Sequence, residues 1–203
     1  IPEVFDSSEV NRVLSVLSDA HTPRSRAGMR HLLNTPAVMS LALDPRLLRI
    51  ACTLLRCTVR PFRATLFSKS DLHNWLAVWH QDTALPLRHR CERPGWGPWS
   101  VKAGVVYAHA PTQALARTVA LRVHLDDSGI SIGPLRGLPG THRLGVLPDK
   151  SVQQLATVIP HVECLVNRGA VLAMSPLLVH SSGKSVSGAP RRVLHLEYAT
   201  NFD

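Results

Sequence analysis

His80 and Asp82, in the run Trp79-His80-Gln81-Asp82-Thr83, are two metal-binding side chains separated by one residue. Residues i and i+2 of a strand face the same side, so this pair can offer an imidazole nitrogen and a carboxylate oxygen to one ion. A histidine on another strand, with His180 as the downstream candidate, completes a 2-His-1-carboxylate set. Such a set leaves coordination positions open and suits Fe(II) oxygen chemistry.

The triplet is weak by itself, because the chain holds 11 histidines in 203 residues. A second His-x-Asp, His124-Leu125-Asp126, provides the control. The turn residues Asp127-Ser128-Gly129 follow it at once, so its aspartate is accounted for by turn chemistry, and His124 is expected to be structural.

Several further segments agree in order with the first triplet. They are Arg63-Ala64-Thr65-Leu66-Phe67-Ser68-Lys69, Asn74-Trp75 leading into Trp79-His80-Gln81-Asp82, and Gly133-Pro134-Leu135-Arg136-Gly137-Leu138-Pro139-Gly140-Thr141-His142-Arg143. Met174-Ser175-Pro176-Leu177-Leu178-Val179-His180-Ser181-Ser182 comes next, with Pro190-Arg191-Arg192 after it. On these stretches, from Pro61 to Asn201, the chain resembles the phytanoyl-CoA dioxygenase family of Fe(II)/2-oxoglutarate oxygenases. The resemblance implies a double-stranded β-helix, a jelly roll with iron inside its open end. It implies His80, Asp82 and His180 as iron ligands, 2-oxoglutarate as cosubstrate and O2 as oxidant. Arg191 stands at the family's spacing from the distal histidine and is thereby implied to bind the oxoglutarate tail. Related halogenases leave the carboxylate position empty for chloride, so the presence of Asp82 implies hydroxylation.

The cosubstrate chemistry can also be read from the side chains. A 2-oxo acid chelating iron through its 1-carboxylate and keto oxygen leaves a distal carboxylate in need of a partner. A guanidinium offers that group two parallel charge-assisted hydrogen bonds, which lysine cannot do. Arg191 and Arg192 are neighbours in the strand-like run to Tyr198 and point to opposite faces, so only one enters the pocket. Arg192 is expected on the surface. Ser182 can share the His180 face and donate to the same carboxylate, and Lys69, at the end of an apolar run, is a third candidate for the cosubstrate or substrate.

The chain carries 23 Lys and Arg against 14 Asp and Glu, a formal net charge of +9. A small-molecule substrate of anionic character fits that balance. Nucleic acid is not expected, because the basic residues are scattered without aromatic interleaving. No apolar run approaches the roughly 20 residues of a membrane helix. Cys52, Cys57, Cys91 and Cys164 lack metal-site or disulfide spacing, which leads to an expectation of free thiols in a reducing, cytoplasmic setting. The first residue is Ile1, read as a sign of trimming or processing.

These side chains need a scaffold, and the pattern changes once along the chain. Up to about residue 57 it is helical. Ser7 is the expected cap of a first amphipathic helix, and Thr35-Pro36 and Asp44-Pro45 start helices near 36–42 and 45–56. From about residue 58 short apolar or alternating runs are separated by Gly, Pro, Asp and Ser, the pattern of an all-β sandwich or barrel. Strands are expected at 62–67, 76–80, 104–108, 117–125, 133–138, 170–174 and 191–199, with a helix near 149–157. One domain over 1–203 follows, a helical layer (1–57) outside a jelly-roll core (58–203). The long stretch from Arg88 to Gln113 is expected to be a loop in which Trp96 and Trp99 wall the substrate pocket or cover the barrel mouth, with residues 88–103 mobile. Lys102, Tyr107 and His109 are further substrate contacts to consider. The reading is a dioxygenase hydroxylating a small organic or acyl-type substrate; the alternatives are a metal-dependent jelly-roll isomerase or hydrolase, and a non-catalytic ligand-binding domain of the same fold.

Overall fold

Two prolines at the first helical turn set the helical layer, since their fixed φ suits that position and their missing N–H costs nothing there. They open α2 (Pro36–Ala42) and α3 (Pro45–Leu55), the latter capped by the Asp44 side chain, which accepts from the Arg46 N–H at 2.8 Å. The preceding helix, α1 (Ser7–Asp19), is capped one residue earlier than the sequence suggests. Asp6 accepts from the Glu9 N–H while Glu9 accepts from the Asp6 N–H, a reciprocal capping box that Ser7 cannot form. The computed structural model describes residues 1–19, 24–25, 28–70, 73–90 and 92–200. Cys91 lies outside them, and Cys52, Cys57 and Cys164 are free.

The remaining elements in chain order are β1 (Arg24–Ser25), β2 (Gly28–Met29), β3 (Val59–Lys69), β4 (Ala77–His80), β5 (Ala84–Leu87), β6 (Trp99–Lys102) and β7 (Val105–His109). Then come α4 (Thr112–Leu115), β8 (Thr118–His124), β9 (Leu135–Gly137), α5 (Asp149–Val158), β10 (Val162–Cys164), β11 (Val171–Met174), β12 (His180–Ser182) and β13 (Arg191–Thr200). Antiparallel pairing gives one sheet in the order β1-β2-β3-β13-β8-β11, a second in the order β10-β9-β12-β4, and a three-stranded sheet β5-β7-β6. The chain is mainly β, a jelly roll with its N-terminal helices on the outside.

Alternation along the central strands separates an apolar outer face from a charged inner one. On β13, Leu194, Leu196 and Tyr198 pack with Val38 and Ala42 of α2, Leu47 and Ala51 of α3, and Ala64 and Leu66 of β3. Tyr198 also donates its hydroxyl to the Ala42 carbonyl at 2.9 Å. The intervening residues Arg191, His195 and Glu197 line the internal cavity, as do Arg63, Thr65 and Phe67 of β3. One sheet thus serves two environments.

The expected long loop is only partly a loop. Its C-terminal half forms a hairpin, with β6 paired to β7 and β7 to β5. Trp96 packs on the small apolar cluster of Leu85, Ala110, Ala114, Leu115 and Leu177, and Arg90 lies over the Trp99 ring. Neither tryptophan lines the cavity, so the expectation that they wall a substrate pocket is corrected, whereas Lys102, Tyr107 and His109 from the hairpin do line it.

Leu196 is fully buried between sheet and helices, so Leu196→Ala should lower stability by about 2–5 kcal/mol through lost contacts and the cavity left behind. Urea unfolding measures this. Metal binding should persist in the folded variant, since Leu196 faces away from the cavity.

Candidate metal centre

Strand register brings the two histidines together. In the β4–β12 pair, His80 is the direct partner of His180, and their rings stand 4.3 Å apart between centroids. Asp82 lies two residues beyond the end of β4, where its N–H donates to the Pro176 carbonyl at 2.9 Å. Its Oδ1 is 3.7 Å from His80 Nε2 and its Oδ2 is 3.5 Å from His180 Nε2. One ligand atom from each of the three residues lies within 4.8 Å of the other two, and they form the sole candidate metal cluster among the described residues.

Backbone carbonyls fix both rings in the tautomer that a metal needs. His80 Nδ1 lies 2.7 Å from the Val78 carbonyl and His180 Nδ1 lies 2.8 Å from that of Leu178. A carbonyl can only accept, so each Nδ1 carries a proton and Nε2 is the nitrogen turned toward Asp82. Burial, with His80 alongside, pushes His180 down to about 4 against the opposing pull of Asp82, which leaves its imidazole neutral at pH 7. Burial favours protonation of Asp82, but His180, His195, His80 and Arg63 outweigh it and hold the carboxyl well below its ordinary range. Neutral imidazole and ionised carboxylate are the ligating forms.

Gln81, between the two, reaches the other way. Its amide donates to the Gly145 and Leu177 carbonyls and accepts from the Leu147 N–H at 2.8 Å. The middle residue of the triplet therefore ties β4 to two loops, a positioning role that its sequence spacing does not disclose.

Deeper in the cavity, Arg191 is 1% exposed. Its Nη2 lies 3.4 Å from Ser182 Oγ, while Nε and Nη1 have no partner among the described residues. Lys69 is its direct partner across the β13–β3 pair. The Lys69 ammonium donates to Ser182 Oγ at 2.7 Å and to the Gly183 carbonyl, and sits 4.7 Å from the centre of the Trp75 ring. Burial, then the charges of Arg191, Arg122 and Arg136, push Lys69 down to about 7. Arg192 faces outward and is clamped by Asp126, with both nitrogen–oxygen contacts at 2.7–2.8 Å. The aspartate of the second His-x-Asp is therefore an arginine clamp. His124 is buried outside the cluster, with neither ring nitrogen hydrogen-bonded among the described residues.

A polar network escaped the sequence reading. Glu197, 2% exposed, pairs with Arg63, whose Nη1 also donates to the Ala84 carbonyl at 2.9 Å. Arg122 Nη1 is 3.1 Å from His195 Nδ1. An arginine can only donate, so His195 accepts there and turns a protonated Nε2 toward Glu197 at 3.5 Å. The available signal was the alternation of Arg191, His195 and Glu197 with Leu194, Leu196 and Tyr198, which marks a charged inner face.

With this geometry in view, the comparisons with known proteins bear on one family. A model of the phytanoyl-CoA dioxygenase (PhyH) family matches residues 17–193. The chain belongs to that family. Among solved structures, HygX from Streptomyces hygroscopicus, with nickel and 2-oxoglutarate bound, superposes with a TM-score of 0.71 at 20% identity, covering 100% of this chain and 82% of that one. EctD from S. alaskensis with bound Fe gives a TM-score of 0.73 at 20% identity over 98% and 71% of the two chains. SnoN, an α-ketoglutarate-dependent non-haem epimerase of nogalamycin biosynthesis, gives 0.69 at 21% over 98% and 76%. No curated protein matches the chain. These likenesses are of fold; the family match makes this PhyH member an Fe(II)/2-oxoglutarate-dependent oxygenase-type enzyme. No described helix is long and apolar enough to cross a membrane.

The residues present fit both groups. The three ligand atoms converge, and the unpartnered Nε and Nη1 of Arg191 are buried guanidinium donors of the kind a carboxylate satisfies.

Lys69 yields a pH prediction for the PhyH member without cosubstrate. Its folded value of about 7 lies below the ordinary 10.5, so the cost of burying its charge is present in full below pH 7. That cost is relieved as pH rises from 7 toward 10.5, because the unfolded chain holds the proton longer. Lys69→Met should therefore stabilise the protein at pH 6.5 and do so less at pH 9, as measured by urea unfolding at both values.

Proposed function

We propose that this chain is a single-domain hydroxylase of the Fe(II)/2-oxoglutarate type, acting on a C–H bond of a small organic substrate. His80, Asp82 and His180 hold the iron, and Arg191, with Ser182 and Lys69, holds the cosubstrate. The observation that carries the reading is the shared cavity, of about 310 Å³, in which the His–Asp–His cluster and the unpartnered donors of Arg191 both appear. A site of that volume stands at the small end of ligand pockets.

When bound, the iron with O2 and 2-oxoglutarate would supply the oxidising power for C–H cleavage, oxoglutarate leaving as succinate and CO2. The chain's own residues do the rest. His80 and His180 would present Nε2 to the iron, because their Nδ1 protons are committed to Val78 and Leu178. Asp82 adds one negative charge, which two neutral imidazoles cannot provide. Arg191 offers buried, unpartnered guanidinium donors to the distal carboxylate, and Lys69, linked to it through Ser182, adds a second charge. The Arg63–Glu197–His195–Arg122 network occupies the Glu197 carboxylate, so that it does not compete for the iron.

The reaction reading is tested by admitting 18O2 to protein loaded with Fe(II) and 2-oxoglutarate. Labelled succinate is expected, and labelled alcohol once a substrate is supplied. A second reading, epimerisation, is favoured by the likeness of fold to SnoN; its mark is inverted product without label. Absence of oxoglutarate-dependent succinate would sink both and favour a non-oxidative jelly-roll enzyme or a binding domain.

Two substitutions probe the assigned roles. Asp82→Ala should abolish succinate formation and weaken Fe(II) binding with the fold intact, whereas His124→Ala should retain iron, both followed by anaerobic metal titration. Arg191→Lys should weaken oxoglutarate binding roughly tenfold or more, since a charge-assisted hydrogen bond contributes on the order of 1.5–3 kcal/mol and lysine recovers only part of the pair. Arg192→Lys should change little in the same calorimetric titration; equal effects at both positions would overturn the assignment.

A further inference from the structure

The cavity holds more positive charge than iron and oxoglutarate can use. It is lined by five basic side chains, Arg30, Arg63, Lys102, Arg122 and Arg191, against the two acids Asp82 and Glu197, a surplus of three charges. A divalent ion and a dicarboxylate cancel one another, so loading both leaves the surplus in place. Glu197 is spent on Arg63 and His195, and Asp82 is assigned to the metal. Neither acid is free to receive a substrate's ammonium group.

Three of the basic groups, Arg30, Lys102 and Arg122, make no ion pair among the described residues, although Arg122 Nη1 is hydrogen-bonded to His195. Arg122 is 5% exposed, and its Nε has no partner among the described residues. Arg30 and Lys102 meet no carboxylate there, and the charges felt by Lys102 are those of Arg30 and Arg63. Burial and those like charges push the Lys102 ammonium below its ordinary range.

Arg30 and Lys102 line the same cavity, and Lys102 feels the charge of Arg30. Arg30 follows β2, and the next residue, His31, sets its ring 6.3 Å from that of Tyr107 on β7. The Lys102 ammonium, at the end of β6, lies 5.2 Å from the centre of the same Tyr107 ring. The Ala103-Gly104 turn, with φ of 50° and 78°, returns the chain from β6 to β7, which matches the two-residue hairpin geometry of a primed turn. Both cations are exposed, so they stand at the cavity mouth, while Arg122 stands inside. A like-charged cluster with no carboxylate partner among the described residues favours an anionic ligand and repels a cationic one.

We propose that the substrate carries a carboxylate or phosphate-ester group, which Arg30 and Lys102 grip at the mouth with Arg122 adding positive potential from within, and that amines are refused. This rests on the oxygenase reading and narrows its substrate class. It also separates roles within the cavity, Arg191 serving the cosubstrate and the Arg30–Lys102 pair the substrate.

The test uses protein loaded with Fe(II) and 2-oxoglutarate under nitrogen, loading being verified first by calorimetry. Butyrate, methyl phosphate and butylamine are then titrated and binding is read by ligand NMR. Butyrate or methyl phosphate should bind, whichever is tighter naming the anionic group, and butylamine should not. In the double variant Arg30→Gln, Lys102→Gln the anion should bind roughly tenfold more weakly, as expected for loss of charge-assisted contacts, with Fe(II) and oxoglutarate affinities unchanged. Butylamine binding as well as the anions, no anion binding to loaded protein, or an unaltered affinity in the double variant would overturn the proposal. Failure of the loading step itself would instead remove the oxygenase reading on which the proposal stands.

Discussion

Buried positive charge is the constraint around which this molecule is arranged. Lys69, Arg122 and Arg191 are each at most 5% exposed, and a charge removed from water is costly unless a partner or a ligand answers it. One part of the interior solves this internally, through Glu197 set between Arg63 and His195. The other part is left open, with donors on Arg122 and Arg191 that meet nothing among the described residues. An unsatisfied buried guanidinium is tolerable when a bound anion completes it, so the energetic gap in the protein is the physical ground for the proposed binding of small acids.

That interior exists because the sheet is divided along its strands. The same ten-residue strand, β13, supplies an apolar face to the helical layer and a charged face to the cavity. The helices have no part in the chemistry, yet they bury the outer face and let the inner one be polar. A slip of one residue in the β13–β3 register would send Arg191 into the helical core and Leu194 into the cavity.

The candidate metal cluster depends on a finer set of restraints. Direct register of His80 against His180 supplies the distance, two short hydrogen bonds to Val78 and Leu178 supply the tautomers, and the Asp82 N–H, held by Pro176, places the carboxylate. Gln81 binds the two loops on the far side. Each restraint ends on a backbone group, and donors positioned in this way lose little freedom on binding.

Local signals were legible in the chain itself. Proline at the first helical turn located α2 and α3, alternation located β3, β8 and β13, and the parity of neighbouring residues separated Arg191 from Arg192. The short elements were not legible: β12 has three residues and β10 has three, too few for a period to register. Nor could spacing show that Trp96 packs on a satellite cluster while Lys102 and Tyr107 reach the cavity, or that Asp126 serves as a clamp for Arg192. Those outcomes depend on which strands pair, and pairing is decided by contacts between residues far apart in the chain, such as Arg63 with Glu197 and His80 with His180. The sequence by itself determined the residue types, their faces and the surplus of charge. Only the tertiary structure decided which of those charges are answered within the protein and which are left for a ligand, because burial and neighbours are properties of the packed state.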